Sequence, residues 1–254
     1  MSDDELKRCP FCDEEIRVKA VICKHCGQWL PGYSYESAIR DLVIQKQVTE
    51  LKASEPLEAR TREEQLQKVL EWAGSEKDYS CKGFDLSAQN LSQVDLSGID
   101  LSEANLRETD LAQANLTEAN LNRANLFSAN LKGANLQRAR LNEAYLRSAI
   151  LEYADLSGAS LLRANLRSAF LDQAILYRVD MEGANLKGAD LRGVNLRESY
   201  LKETSFEGAK MEGAVLRGAL LIRTNLTGSD VTTFQYERAR TLEGAILPNG
   251  DVHE

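Results

Sequence analysis

Histidine is nearly missing from this chain: 254 residues hold two, His25 and His253. Neither sits in a pattern that builds a nucleophile–base pair, and no glycine-rich stretch could cradle a phosphate. The residues therefore offer no catalytic constellation, and the chain reads as a non-enzyme. Long apolar runs are also missing. No stretch could span a membrane, and the polar start MSDDELKR is no signal peptide, so a cytoplasmic protein is the expectation. A basic excess is missing as well: 31 Lys and Arg stand against 39 Asp and Glu, a net charge of −8, which disfavours nucleic acid as a partner. Cysteines number five, and without a secretion signal they point to thiols or a metal rather than disulfides.

What the chain does have is a period of five. From Leu86 to Val231 thirty five-residue units follow one another without insertion. The central residue is Leu in 26 of them, the exceptions being Met181, Phe206, Met211 and Val231. Ala precedes the centre by two in 19 units and Asn or Asp by one in 19, so the consensus is set by three inward or corner positions. An α-helix advances about 140° in five residues, so its leucines would spiral rather than share a face. A straight strand would send successive leucines to opposite faces. All can point inward only if the chain turns a corner once per unit and successive coils stack as a solenoid.

The A-[N/D]-L-x-x run resembles the pentapeptide-repeat family over about 150 residues. The resemblance implies a mainly β fold: a right-handed, four-sided parallel β-helix with twenty residues per coil. Thirty units then make seven and a half coils, roughly 35 Å at strand spacing. Asn and Asp are expected as corner formers. In gyrase-protecting members the C-terminal end carries a dimer contact, which implies a homodimer through the cap at 234–254.

The N-terminal region, 1–32, carries Cys9-Pro-Phe-Cys12 and Cys23-Lys-His-Cys26-Gly27. Two C-x2-C pairs can close a tetrahedral four-thiolate shell, and the stretch resembles a zinc ribbon. One structural Zn2+ on Cys9, Cys12, Cys23 and Cys26 is the expectation; rubredoxin-like iron and a redox dithiol are the alternatives. His25 is read as solvent-facing. A small hairpin is expected between the knuckles, from Ile16, Val18 and Val21-Ile22. Residues 33–77 read as a helical connector. Its first apolar stripe is Ile39, Val43, Ile44, Val48 and Leu51. A second helix is capped by Ser54 with Pro56 in its first turn, carries Leu66, Val69, Leu70 and Ala73, and ends at Gly74. The alternative for this connector is a short dimerising coiled coil. The β-helix is placed at 78–233, with Phe84 plugging its first coil and Cys81 buried as a small apolar residue.

With twenty residues per coil, the outward columns follow from the sequence. On the first side the column Ser87, Arg107, Phe127, Arg147, Arg167, Lys187, Glu207 and Thr227 carries four cations. On the fourth side Glu103, Arg123, Glu143, Arg163, Gly183, Glu203 and Arg223 alternate in sign up most of the ladder, which would hold register. On the second side Ile150 and Phe170 break the Asn/Asp column, with Tyr153 beside them and Tyr145 at the neighbouring corner. Such an outward apolar cluster suggests a contact with a protein partner or with the chain's own N-terminal helices. The reading is a protein-interaction scaffold: a rigid rod with a zinc-ribbon docking module. Two alternatives are a DNA mimic binding a type II topoisomerase, which the family implies, and nucleic-acid binding through the ribbon. The repeats hold 19 acidic and 16 basic residues, a balance that argues against a continuous anionic surface.

Overall fold

A computed structural model describes residues 61–73 and 80–254, together with the strands β1 (Leu6–Arg8) and β2 (Glu15–Arg17). The chain divides into two compact units, Met1–Ala59 and Arg60–Glu254. In the first unit β1 and β2 pair antiparallel, with Leu6 opposite Arg17 and Arg8 opposite Glu15. The sequence places the Ile16 strand in a hairpin between the two cysteine pairs. The structure pairs it with a strand that precedes the first cysteine pair, so the connection between the two strands carries Cys9 and Cys12; the expected hairpin partner at Val21-Ile22 lies outside the described residues. The four paired cysteines, Val18, Val21-Ile22 and the stripe from Ile39 to Leu51 lie outside the described residues.

The second unit is the solenoid. Parallel bridges join residues twenty apart on four sides: Asp85 to Asn105, Asn90 to Asp110, Asp95 to Asn115 and Asp100 to Asn120 begin the four ladders. Each side contributes a single bridge residue rather than a strand. The geometry leaves no room for more, because two of every five residues form the corner. Twenty-nine successive corners, from Ala88 to Gly228, place their third residue at positive φ, and 19 of these residues are not glycine, with φ between 51° and 62°. The Ala N–H then donates to the preceding Leu carbonyl, as from Ala104 to Leu101 at 3.1 Å. A left-handed residue costs about 1 kcal/mol when it has a Cβ. That cost is offset because its N–H donates to the next coil, as Glu103 does to Asn122 at 2.9 Å.

The Asn/Asp column completes the hydrogen bonding. Its Oδ1 accepts the N–H two residues on, as Asn90 does from Ser92 at 2.9 Å. Asparagines also donate Nδ2–H to the carboxylate one coil below, as Asn115 does to Asp95 at 2.8 Å. Corner geometry is thus the column's role, as expected. Inside, the Leu and Ala columns are buried almost without exception. Where Thr or Ser replaces Ala, the hydroxyl is buried and tied: Thr109, Ser199, Thr204 and Thr224 donate to Leu86, Leu176, Met181 and Leu201 carbonyls at 2.6–2.8 Å.

A helix lies near each end, and each contributes a glutamine that stands in for coil backbone. At the start, α1 (Arg62–Trp72) is capped by Thr61, whose Oγ1 accepts the Glu64 N–H while the Glu64 carboxylate accepts the Thr61 N–H. The sequence places this helix start at Ser54; Thr61 is extended, so the helix begins one residue after it. Val69 is buried against the first coil with Cys81 and Phe84, while Leu70 faces outward. Gln65 Oε1 accepts the Asp85 N–H at 2.6 Å, taking the place of an absent coil's carbonyl.

At the other end α2 (Thr233–Tyr236) adds one residue to the period, and the ladder then resumes at an offset of 21, with Thr241 on Leu220 and Ile246 on Asn225. Gln235 Nε2 donates to the Met211 and Ala214 carbonyls at 2.8 and 3.0 Å. The chain finally folds back, pairing Val252 antiparallel with Ile246, which covers an otherwise open edge. The regular phase is therefore lost after Val231, as the sequence shows, but the β-helix itself continues to Ile246.

Candidate interaction surface

The outward surface is a set of columns, and most of its charges are neutralised within the chain. On the fourth side Arg123 meets Glu143 at 2.9 Å, Arg223 meets Glu203 at 2.7 Å and Lys82 meets Glu103 at 3.2 Å. The third side holds an equivalent ladder that sequence reasoning passed over: Arg138–Glu118 at 3.3 Å and Arg178–Glu198 at 2.7 Å. The same twenty-residue arithmetic would have found it. Exposed pairs of this kind contribute at most about 1 kcal/mol each and act on register.

The cationic line on the first side divides. Arg107 pairs with Glu108 at 3.0 Å and lies over the Phe127 ring at 4.7 Å; Lys187 pairs with Glu207 at 2.7 Å. Arg147 and Arg167, between them, have no ion pair among the described residues. Beside them stand the apolar exceptions. Tyr145 is 39% exposed, Phe170 46% and Tyr153 57%, whereas Ile150 is half-buried. Ile150 and Phe170 are bridged neighbours on adjacent coils. Phe127 stacks on Tyr145 with ring centroids 6.3 Å apart and planes at 19°, extending the cluster from the second side onto the first. Phe127 was legible only as one member of a column; its partner two residues short of the next coil was not. Of the other large apolar residues outside the inward columns, Ile175 is exposed, while Leu162, Tyr177, Tyr200, Leu220 and Ile222 are half-buried.

Electrostatics along the columns follow the hydrogen bonds. Burial raises the Asp85, Asp100 and Asp155 carboxyls, but bonds from Ser87, Ser102 and Ser157 and their neighbours outweigh it, leaving all three below the usual value of 3.8. Asp190 is lowered chiefly by Arg192, which grips it at 2.7 Å. Burial, reinforced by Asp100, pushes the Cys81 thiol up to about 12 against the opposing charge of Lys68, so it is a packing residue and not a nucleophile. Among the described residues no group of three or more His, Cys, Asp or Glu side chains could hold a metal, and no helix is long and apolar enough to cross a membrane.

A family model for pentapeptide repeats, in eight copies, matches residues 85–123, 124–161, 159–198 and 199–233. The chain belongs to the pentapeptide-repeat family. Membership brings the right-handed sense of the β-helix with it. Among solved structures the chain is similar to HetL, a pentapeptide repeat protein involved in heterocyst differentiation regulation from the cyanobacterium Nostoc sp. strain PCC 7120. It is 31% identical to HetL over 68% of this chain and 87% of that one, with a TM-score of 0.35. It is also similar to a trypsin-treated form of QnrB1, a plasmid-mediated fluoroquinolone resistance protein, at 17% identity over 65% of this chain and 90% of that one, TM-score 0.45. Rfr23 from the cyanobacterium Cyanothece 51142 is 28% identical over 59% of this chain and 93% of its own, TM-score 0.25. No curated protein matches. Measured against the pentapeptide-repeat consensus, Tyr145, Ile150 and Phe170 are departures at positions where Asn or Asp would complete the corner.

Proposed function

We propose that this pentapeptide-repeat protein is a non-enzymatic protein-interaction scaffold whose contact surface lies across the first and second sides of the β-helix, around Tyr145, Ile150, Tyr153 and Phe170. The observation that carries the reading is the exchange made at these corners. Tyr145, Ile150 and Phe170 each forgo a side-chain acceptor for a backbone N–H, a bond of about 1 kcal/mol, and present apolar surface to water instead. Three such exchanges clustered on two adjacent coils stabilise a complex rather than the free rod. Arg147 and Arg167 flank the cluster and supply cations for a partner's carboxylates, while Arg107 and Lys187, already paired, contribute packing and register.

The same proposal assigns one structural Zn2+ to Cys9, Cys12, Cys23 and Cys26 in a docking module. Four thiolates in two C-x2-C pairs suit zinc. The pairing of β1 with β2 supports it, since that register brings together the chain on either side of the first cysteine pair.

The test is affinity capture with wild-type chain and with Ile150→Asp/Phe170→Asp as baits. A protein retained by the first and lost by the second supports the surface; identical recovery by both removes it. Topoisomerase mimicry is an outcome of a parallel supercoiling assay. Sign alternation up the third and fourth sides leaves no continuous anionic face, so no effect on gyrase is expected, and protection would displace the scaffold reading.

A further inference from the structure

The one-residue shift at α2 borders a cleft on the third side. Its volume is about 500 Å³. On each preceding rung of this side two backbone donors are used: Gly193 N–H donates to Glu212 and Leu196 N–H to Val215, at 2.8 and 2.9 Å. Their counterparts on the following rung, Gly213 N–H and Leu216 N–H, line the cleft and have no acceptor among the described residues. Gln235 takes the Met211 and Ala214 carbonyls of that rung, so what remains open is a pair of donors three residues apart.

The side chains around these donors are cationic. Arg197 and Arg217 follow one another in the same column. Arg238 occupies the next rung, because Gly218 N–H donates to its carbonyl just as Glu198 N–H does to that of Arg217. All three are exposed and none has an ion pair among the described residues. Glu198, beside Arg197 in sequence, is held by Arg178 at 2.7 Å. Three like charges stacked at strand spacing repel one another, in a molecule whose third and fourth sides otherwise pair opposite signs up their ladders. The floor is apolar: Val215 is 41% exposed and Phe234 66%, with Arg238 lying 3.7 Å over the Phe234 ring.

We propose that this cleft binds an extended acidic peptide segment of a partner protein, adding a strand to the open rung. Two peptide carbonyls three residues apart accept the Gly213 and Leu216 N–H groups. Carboxylates pair with Arg197, Arg217 and Arg238, and an aliphatic side chain packs between Val215 and Phe234. The site is on the third side at the C-terminal end, separate from the Ile150–Phe170 cluster, so either can fail without the other.

The test uses the full chain and a fluorescein-labelled octapeptide of alternating glutamate and leucine, with a glutamine-for-glutamate peptide as control, read by anisotropy at low and high salt. The acidic peptide should bind saturably and weaken with salt. Arg217→Gln/Arg238→Gln should weaken it by at least about tenfold, whereas Ile150→Asp/Phe170→Asp should leave it unchanged. Hydrogen exchange at Gly213 and Leu216 should slow on binding. Equal affinity for the glutamine peptide, an undiminished double-arginine variant, or unchanged exchange at both amides would overturn the proposal. So would tighter binding of an oligothymidylate of the same charge, since the arginines would then be reading phosphate.

Discussion

Replacing Leu161 by alanine tests how rigid the interior is. Leu161 is fully buried in the fourth-side column, with Leu141 below and Met181 above, one coil away on either side. Three carbons leave the core, worth about 2.4 kcal/mol by transfer alone. The cavity adds to this only as far as the surroundings fail to collapse. Here collapse is opposed by the backbone. Leu141 N–H donates to Ser160 and Leu161 N–H to Asp180, both at 2.7 Å, and neighbouring units are tied in the same way. Coil spacing is therefore fixed, and the loss should fall in the upper part of the usual range, about 4 kcal/mol. Guanidinium denaturation of the full chain measures it, with Leu70→Ala as control. Leu70 is 42% exposed on α1, and its truncation should cost less than about 1 kcal/mol. A loss below about 1.5 kcal/mol at Leu161 would refute the reasoning, because it would mean that the column relaxes to fill the gap.

Corner strain predicts substitutions of opposite sign. Gly208 has φ +63° and nothing within 4 Å of a Cβ, so Gly208→Ala should destabilise by about 1 kcal/mol through backbone strain alone, whereas Ser148→Gly, at φ 59°, should be neutral or stabilising by thermal melting. Acid should unfold the solenoid in a defined window. The folded carboxyls of Asp85, Asp100, Asp155 and Asp190 lie below 3.8, so their contribution is complete above the ordinary carboxylate value and is lost as pH falls below it. Asp100→Asn, a residue the column already accepts at Asn120, should flatten that acid limb. Melting temperatures that fall instead between pH 7 and 5 would point to other groups. Metal analysis of the purified chain should find one zinc per molecule, lost on Cys9→Ser; unchanged metal content in the variant would remove the ribbon.

The inward architecture was legible because every unit repeats it. A period of five admits only a corner per unit, and the observed ladders at twenty residues give the four sides that the family resemblance implied. The ends were less legible. The α1 start was misplaced although Thr61 and Glu64 have capping-box spacing, because Ser54 and Pro56 offered a competing start signal. The last coil was missed because a single added residue near α2 shifts Thr241 and Ile246 out of phase, even though Ala245-Ile246-Leu247 keeps the consensus form. Gln65 and Gln235 gave no warning in sequence: each acts by replacing a coil that is absent, which only the stacked geometry reveals. The corner residues were equally silent, since glutamate and arginine carry no preference for positive φ, and the ladder imposes it on them. Of the candidate surface, the breaks at Ile150 and Phe170 could be read by phase, whereas the stack of Arg107 on Phe127 on Tyr145 depended on side-chain directions from coil to coil.

The scaffold reading is tested most directly by site-specific photo-crosslinking in the native cell, with a benzophenone amino acid placed at Tyr153, in the cluster, and at Arg163, a polar exposed position on the fourth side. The account predicts a discrete crosslinked protein from Tyr153, abolished by Phe170→Asp, and none from Arg163. The same crosslinks from both positions, or none from Tyr153, would contradict it.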